Sequence, residues 1–75
     1  MREISDNNPR TKRYSVKCIG ASMIIRPALV TEVSKLNSRI LSVKYGSSRL
    51  FIEENFDNFK RVVEECKEYE RVNKS

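Results

Sequence analysis

The side chains with the most evident chemistry in this sequence are its cations. Lys and Arg number 15 against 10 Asp and Glu, which gives a formal net charge of +5. The excess lies in residues 1–49, with ten cations against three acids, whereas residues 50–75 hold five cations against seven acids. Because guanidinium and ammonium groups bind phosphates, we expect this part of the chain to face an anionic partner. The residues predicted to bind nucleic acid are Arg10, Lys12, Arg13, Lys17, Arg39, Lys44 and Arg49.

The usual catalytic bases and nucleophiles are missing from the sequence. It contains no histidine, and Cys18 and Cys66 occupy positions that are predicted to point inward. Glu53 and Glu54 are adjacent at a predicted strand end, where neighbouring side chains point to opposite faces, so these carboxylates are not expected to act together. We therefore predict no enzyme, no metal site and no cofactor. For the cysteines, buried reduced thiols are favoured, with a disulfide as the alternative.

The longest apolar stripe predicts a helix over residues 55–72. Asn55 is the predicted N-cap, because its side-chain oxygen accepts a hydrogen bond from a first-turn amide. The apolar residues recur at steps of three and four, as on one face of an α-helix; they are Phe56, Phe59, Val62, Val63, Cys66, Tyr69 and Val72. We expect this helix to cover a sheet. The residues predicted to contact a partner are Phe56, Phe59, Val63 and Tyr69.

Two further segments carry strand patterns. Residues 13–19 alternate, with Tyr14, Val16 and Cys18 on one face, which predicts a half-buried strand. Residues 39–52 contain a glycine turn between two alternating segments, which predicts a hairpin. The residues predicted to point inward are Leu41, Val43 and Tyr45 on its first strand and Leu50 and Ile52 on the returning strand. Tyr14 and Tyr45 fall on the inward faces, so core packing is favoured for them over stacking on bases.

Residues 23–36 are the ambiguous stretch. Met23, Ile24 and Ile25 favour a short strand, and from Pro27 the spacing of Leu29, Val30, Val33 and Leu36 favours a helix over residues 27–36. The β-branched residues in the same stretch suit a strand, which is the alternative. The favoured fold is α+β: a small antiparallel three-stranded sheet in β-α-β-β-α order, covered by the C-terminal amphipathic helix. Residues 1–12 are predicted to be a flexible basic arm and residues 13–75 a single small domain.

Residues 38–52 and 56–63 resemble the C-terminal half of a known family. They are similar to the small dimer-forming subunit of the KEOPS complex, which makes threonylcarbamoyladenosine in tRNA, and the similarity covers about residues 38–72. The resemblance implies a strand-helix-strand-strand-helix order and a non-catalytic subunit that binds a protein partner and helps to engage tRNA. The chain departs from the family in its basic N-terminal segment and in the proline within residues 23–36.

A second resemblance competes with the first. From residues 23–30 through Gly46 to the acidic start of the last helix, the chain is similar to the small FlbD-type flagellar proteins. That resemblance implies mostly strands with one C-terminal helix, makes residues 29–35 a strand, and implies action through protein contacts. The charge of +5 fits the near-neutral or acidic members of that group poorly, so this resemblance ranks second.

The sequence therefore predicts a non-catalytic accessory subunit with a basic surface. We expect it to dock on a protein partner, or on a second copy of itself, in a complex that handles tRNA or another nucleic acid. The alternative is a pure protein-interaction regulator, such as a flagellar-type or mobile-element adaptor or inhibitor. No apolar run is long enough to cross a bilayer, so membrane insertion is not expected and the predicted location is cytoplasmic. No small-molecule substrate is expected, and the choice among RNA, DNA and acidic protein stays open.

Overall fold

The part of the chain that the structure describes forms one small antiparallel sheet with a single C-terminal α-helix. A computed structural model describes residues 1–4 and 11–72. Between the third and fourth strands lies one turn of 3₁₀ helix, Pro27–Leu29. The strands are β1 (Arg2–Ile4), β2 (Arg13–Cys18), β3 (Ala21–Ile25), β4 (Val30–Lys35), β5 (Ile40–Tyr45) and β6 (Ser48–Glu53), and the helix is α1 (Phe56–Val72).

Strand pairing places β3 and β4 at opposite ends of the sheet, and among the described residues β1, like them, pairs with only one strand. β2 pairs with β3 along one edge; along its other edge it pairs with β1 and then, where Cys18 lies opposite Ile52, with β6. β6, β5 and β4 follow as consecutive hairpin-linked strands. Gly20 and Gly46 occupy the turns after β2 and β5 with positive φ of 84° and 60°, a backbone region in which a Cβ atom is strained.

The core lies between α1 and one face of the sheet, here called the inner face. Alternate residues of β2, β5 and β6 point to it, as expected for strands with one covered face. The central cluster consists of Val16, Ile25, Val30, Leu41, Val43, Ile52, Phe59 and Val63. The predicted helix and its cap are confirmed, since the Asn58 N–H donates to Asn55 Oδ1 at 3.0 Å. The predicted strand over residues 13–19, which is β2, and the predicted hairpin of residues 39–52 are likewise confirmed.

An ion pair fastens the far end of the helix to the end of β3. Arg26 Nε donates to Glu70 Oε2 at 2.9 Å, and its Nη2 donates to the other carboxylate oxygen, so the contact is bidentate. Both side chains are partly buried, at 34% and 16% exposed. The hydrogen bond to Glu70 raises the pKa of Arg26 above its ordinary value. The backbone N–H of Arg26 also donates to Tyr45 Oη at 3.0 Å, which ties β3 to β5.

The prediction of a helix over residues 27–36 is wrong, because only Pro27–Leu29 is helical and β4 follows directly. A β-bulge explains why the sequence resembled a helix. Val30 pairs with Tyr45 and Val33 with Val43, and the register shifts between Val30 and Glu32. The extra residue brings two side chains three positions apart onto the same face, which in a regular strand would be opposite faces. The apolar spacing of a bulged strand thus imitated that of a helix.

The predicted three-stranded sheet with two helices is also wrong, since the described residues form a sheet of six strands covered by one α-helix. Part of the difference comes from residues 1–12, predicted as a flexible arm. Arg2–Ile4 forms β1 and pairs with residues 13–15 of β2. Residues 5–10 of that predicted arm lie outside the described residues. Within residues 1–4 and 11–72, no helix is long and apolar enough to cross a membrane.

Candidate interaction surface

The face of the sheet opposite α1 is the candidate surface, here called the outer face. Of the elements that the structure describes, only α1 and the 3₁₀ turn lie outside the sheet, and α1 packs on the inner face through Phe59, Val63 and their neighbours. Strand alternation assigns the side chains of the outer face. Those on the central strands are Arg13, Ser15 and Lys17 of β2, Arg49, Phe51 and Glu53 of β6, and Ile40, Ser42 and Lys44 of β5, with Glu32 and Ser34 on β4.

Charges of both signs alternate across the outer face. Lys17 Nζ lies 3.4 Å from Glu53 Oε2, and Arg49 Nη2 lies 3.9 Å from Glu32 Oε1. Arg49 also donates from Nη1 to Ser42 Oγ at 2.7 Å, which satisfies that buried hydroxyl. These ion pairs are exposed, so each contributes little to stability. Their main effect is to reduce the positive charge of the face, where two carboxylates stand among the cations.

An apolar centre lies between these ion pairs. Phe51 is 40% exposed, and Ile19, just beyond β2, is 62% exposed. The Ile19 N–H donates to the Phe51 carbonyl oxygen at 3.1 Å, so the two residues are neighbours on adjacent strands. Ile40 of β5 is buried on the same face. An apolar centre surrounded by polar and charged groups is the usual arrangement of a protein–protein interface.

The predicted nucleic-acid-binding residues do not form one surface. The outer face brings together Arg13, Lys17, Lys44 and Arg49. Arg39 lies in the turn between β4 and β5, where its backbone N–H donates to Asn37 Oδ1 at 2.8 Å. Lys12 lies on the side of the helix, with its Nζ 4.7 Å from the centre of the Tyr69 ring, a cation–π contact. Arg10 is outside the described residues.

Two of the four helix residues predicted to contact a partner lie in the core of the domain. Phe59 is fully buried and Val63 nearly so, and both belong to the central core. Phe56 is half-buried against that core, and the Nζ atoms of Lys35 and Lys60 lie 5.6 and 5.9 Å from the centre of its ring. Tyr69 is half-buried. The apolar stripe of the helix therefore serves to hold the domain together.

Phe51 is the surface residue that sequence reasoning missed. It lies between Leu50 and Ile52, two residues correctly assigned to the inward face of the returning strand. Alternation alone places Phe51 on the opposite face, so an aromatic side chain at an outward position was a detectable signal. The pairing of Lys17 with Glu53 and of Arg49 with Glu32 was not detectable, because it depends on strand register.

The two cysteines are free thiols in the structure. Burial raises the pKa of the Cys66 thiol to about 11, and burial also raises the pKa of Cys18 above its ordinary value. A thiol with a raised pKa is protonated at neutral pH and is a poor nucleophile. The described residues contain no group of three side chains that could hold a metal ion. Their most distinctive functional feature is thus the outer face.

Comparison of the whole chain with known proteins adds no assignment. No protein family, curated protein or solved structure matches it. The function is therefore inferred from the geometry of the outer face.

Proposed function

We propose that the chain is a non-catalytic interaction subunit that docks on a protein partner through the outer face of its sheet. The observation that carries the proposal is Phe51, a large aromatic side chain that is 40% exposed in the middle of a sheet face opposite the core. Ile19 extends the apolar area, and the flanking charges are largely arranged in pairs. Exposed aromatic residues at the centre of such a patch contribute a large share of binding energy in protein complexes.

The charges of the outer face indicate the chemistry of the partner. Among the described residues, five cations, including Arg2 of β1 opposite Ser15, stand against two carboxylates, so the face keeps a positive excess. A partner with an apolar centre and an acidic rim is complementary to it. The carboxylates of Glu32 and Glu53 lie beside the cations, where they would repel a phosphate backbone but can meet Lys or Arg of a protein. This mixture favours a protein over a nucleic acid as the main partner.

The order of the elements supports the role of a protein-interaction regulator, as in the FlbD-type resemblance. The FlbD-type resemblance implies mostly strands with one C-terminal helix and a strand over residues 29–35, and β4 spans Val30–Lys35. The KEOPS-type resemblance implies a helix before the hairpin, whereas one 3₁₀ turn, Pro27–Leu29, and the strand β4, Val30–Lys35, stand there. A cytoplasmic adaptor or regulator that acts by protein contact is therefore the form of the proposal that we favour.

The test compares two lysine substitutions at exposed apolar positions. Phe51→Lys places a charge in the apolar centre of the outer face, whereas Val72→Lys, at a residue 67% exposed on α1, is the matched control. Tagged proteins are expressed in the native cells, and partners are quantified by affinity purification and mass spectrometry. We expect partners retained by Val72→Lys to be lost with Phe51→Lys. Equal recovery with both variants, each shown to be folded by circular dichroism, would reject the proposal.

Nucleic-acid contact is the second candidate function, because four of the predicted cations do share the outer face. Lys44 and Arg49 lie directly opposite each other on β5 and β6. If these residues contact phosphates, the slope of log affinity against log salt falls by about one for each contact removed. Fluorescence anisotropy with tRNA and with a DNA duplex would compare Lys44→Gln with Lys60→Gln on the helix. Absence of binding at low salt leaves protein docking as the function.

A further inference from the structure

β3 and β4, at opposite ends of the sheet, differ sharply in how their free edges are protected. β4 carries a bulge between Val30 and Glu32, together with the charged side chains of Glu32 and Lys35, which are the devices that discourage strand addition. β3 has the sequence Ala-Ser-Met-Ile-Ile, with no charge, no proline and no register shift in its pairing with β2. Four of its five residues are exposed, including Met23 at 37% and Ile24 at 56%. Among the described residues, β3 pairs only with β2.

The backbone groups on the free edge of β3 can be assigned. Cys18 and Ala21 flank a two-residue turn and are Cα partners, so they form a hydrogen-bonded pair, and the pairs then alternate along the hairpin. Ser22 and Ile24 therefore point their N–H and C=O groups away from β2. Arg26 lies two residues beyond Ile24 and is expected to have the same backbone orientation. Its N–H does point away from β2, to Tyr45 Oη at 3.0 Å. The free edge thus presents two donors and two acceptors.

We propose that β3 pairs with β3 of a second copy of this chain, in antiparallel orientation about a two-fold axis at Met23. Ser22 of each copy then lies opposite Ile24 of its partner, which matches all the donors and acceptors of the two free edges. The Met23 side chains meet at the axis, on the side of the sheet that faces α1. The result is a continuous sheet across two protomers, joined by four backbone hydrogen bonds.

A second copy is the occupant that this edge fits best, because the strand is complementary to itself. The residues brought into register are uncharged, so the pairing places no like charges directly opposite each other. On the neighbouring strand β2, Ser15 lies opposite Ile24 and Lys17 lies opposite Ser22. Exposure of Ala21 through Ile24 on both faces leaves room for the incoming strand among the described residues. The proposal does not depend on the outer face being a docking site.

The dimer should be weak and should strengthen with salt. A single strand pair buries much less area than a standard interface. Each copy carries a net charge of +5, so the two repel each other, and this repulsion is screened as the Debye length falls from about 10 Å at 0.1 M salt to about 3 Å at 1 M. The pairing of β3 with an acidic strand of another protein would show the opposite dependence.

Sedimentation equilibrium of the full chain tests the proposal directly. We expect the mass to rise from the 8.8 kDa of the monomer toward twice that value as the concentration increases to the millimolar range, at lower concentrations in 0.5 M than in 0.05 M salt. Ser22→Pro removes an N–H that points to the free edge and leaves the pairing with β2 in place. It should raise the dissociation constant at least tenfold, whereas the matched Ser22→Thr, which keeps the N–H, should not raise it.

A second variant keeps the test decisive if the proline disturbs the fold. Ile24→Lys adds a charge to the paired edge and should also abolish the dimer, with a circular dichroism spectrum like that of the parent protein. A chain that stays at 8.8 kDa at millimolar concentration in 0.5 M salt would overturn the proposal. So would a dimer that is unaffected by both Ser22→Pro and Ile24→Lys. Neither result bears on partner capture through Phe51, so the two proposals fail independently.

Discussion

Replacing Phe59 by alanine is expected to remove most of the stability of this domain. Phe59 is fully buried at the centre of the core between α1 and the sheet. Substitutions of this kind cost about 3–5 kcal/mol, because burial is lost and a cavity is left. A domain of 75 residues has a free energy of unfolding of about 4–11 kcal/mol, at roughly 0.05–0.15 kcal/mol per residue. Phe59→Ala should therefore leave little or no margin.

Phe51→Ala is the matched control, since the same side chain is removed from a position that is 40% exposed. Its cost should be about 1 kcal/mol or less, because less surface returns to water and no cavity forms. Urea unfolding followed by circular dichroism would measure both. With a slope of about 1 kcal/mol per molar urea, Phe59→Ala should lower the midpoint by about 3 M or more, and Phe51→Ala by about 1 M or less. Equal shifts would refute the assignment of Phe59 to the core and of Phe51 to the surface.

Further predictions follow for three single residues, Glu70, Cys66 and Gly46. Glu70→Gln breaks the partly buried bidentate pair with Arg26 and should cost about 1–3 kcal/mol in thermal unfolding, whereas Glu68→Gln, at an exposed helix position, should cost less than about 0.5 kcal/mol. Burial raises the pKa of the Cys66 thiol from 9.0 to about 11, so the protonated thiol stabilises the fold. This stabilisation is complete below about pH 9 and is lost as the pH rises to 11. Cys66→Ala should therefore reduce the fall in the free energy of unfolding between pH 9 and 11. Iodoacetamide at pH 8 should label Cys66 at least tenfold more slowly in the native protein than in urea, and equal rates would contradict its burial. Gly46→Ala should cost about 1–2 kcal/mol from its φ of 60° alone, because a Cβ there meets nothing within 4 Å, and Gly46→Asn should cost less.

The parts of the fold that follow from local patterns could be predicted from the sequence. The helix came from an uninterrupted apolar stripe with an N-cap at Asn55, and the hairpin came from alternation around Gly46. In each case a single period describes the whole element. The inward positions of Val16, Leu41, Val43 and Ile52 were therefore assigned correctly.

The parts that depend on register or on distant partners could not be predicted. The bulge in β4 places Val30 and Val33, three positions apart, on the same face of the sheet. Nothing in the local sequence distinguishes that spacing from the spacing of apolar residues in a helix. β1 is a strand because β2 offers it an edge, and Arg2–Ile4 has no strand pattern of its own. For the candidate site, the sequence identified the cations but missed that Glu32 and Glu53 lie among them.

The joint between β2 and β6 has a consequence for how quickly the chain can fold. The pairs β2–β3, β4–β5 and β5–β6 join neighbouring segments, whereas Cys18 lies opposite Ile52, far away along the chain. Closing that long loop costs chain entropy before the contacts on either side of it repay the cost. The β2–β3 hairpin and the three-stranded segment β4–β5–β6 should each form rapidly. The pairing of β2 with β6, which joins them, should be the rate-limiting step. Stopped-flow refolding of Ile52→Val should then be slowed nearly in proportion to its loss of stability, whereas a change that acts only on unfolding would place this joint after the transition state.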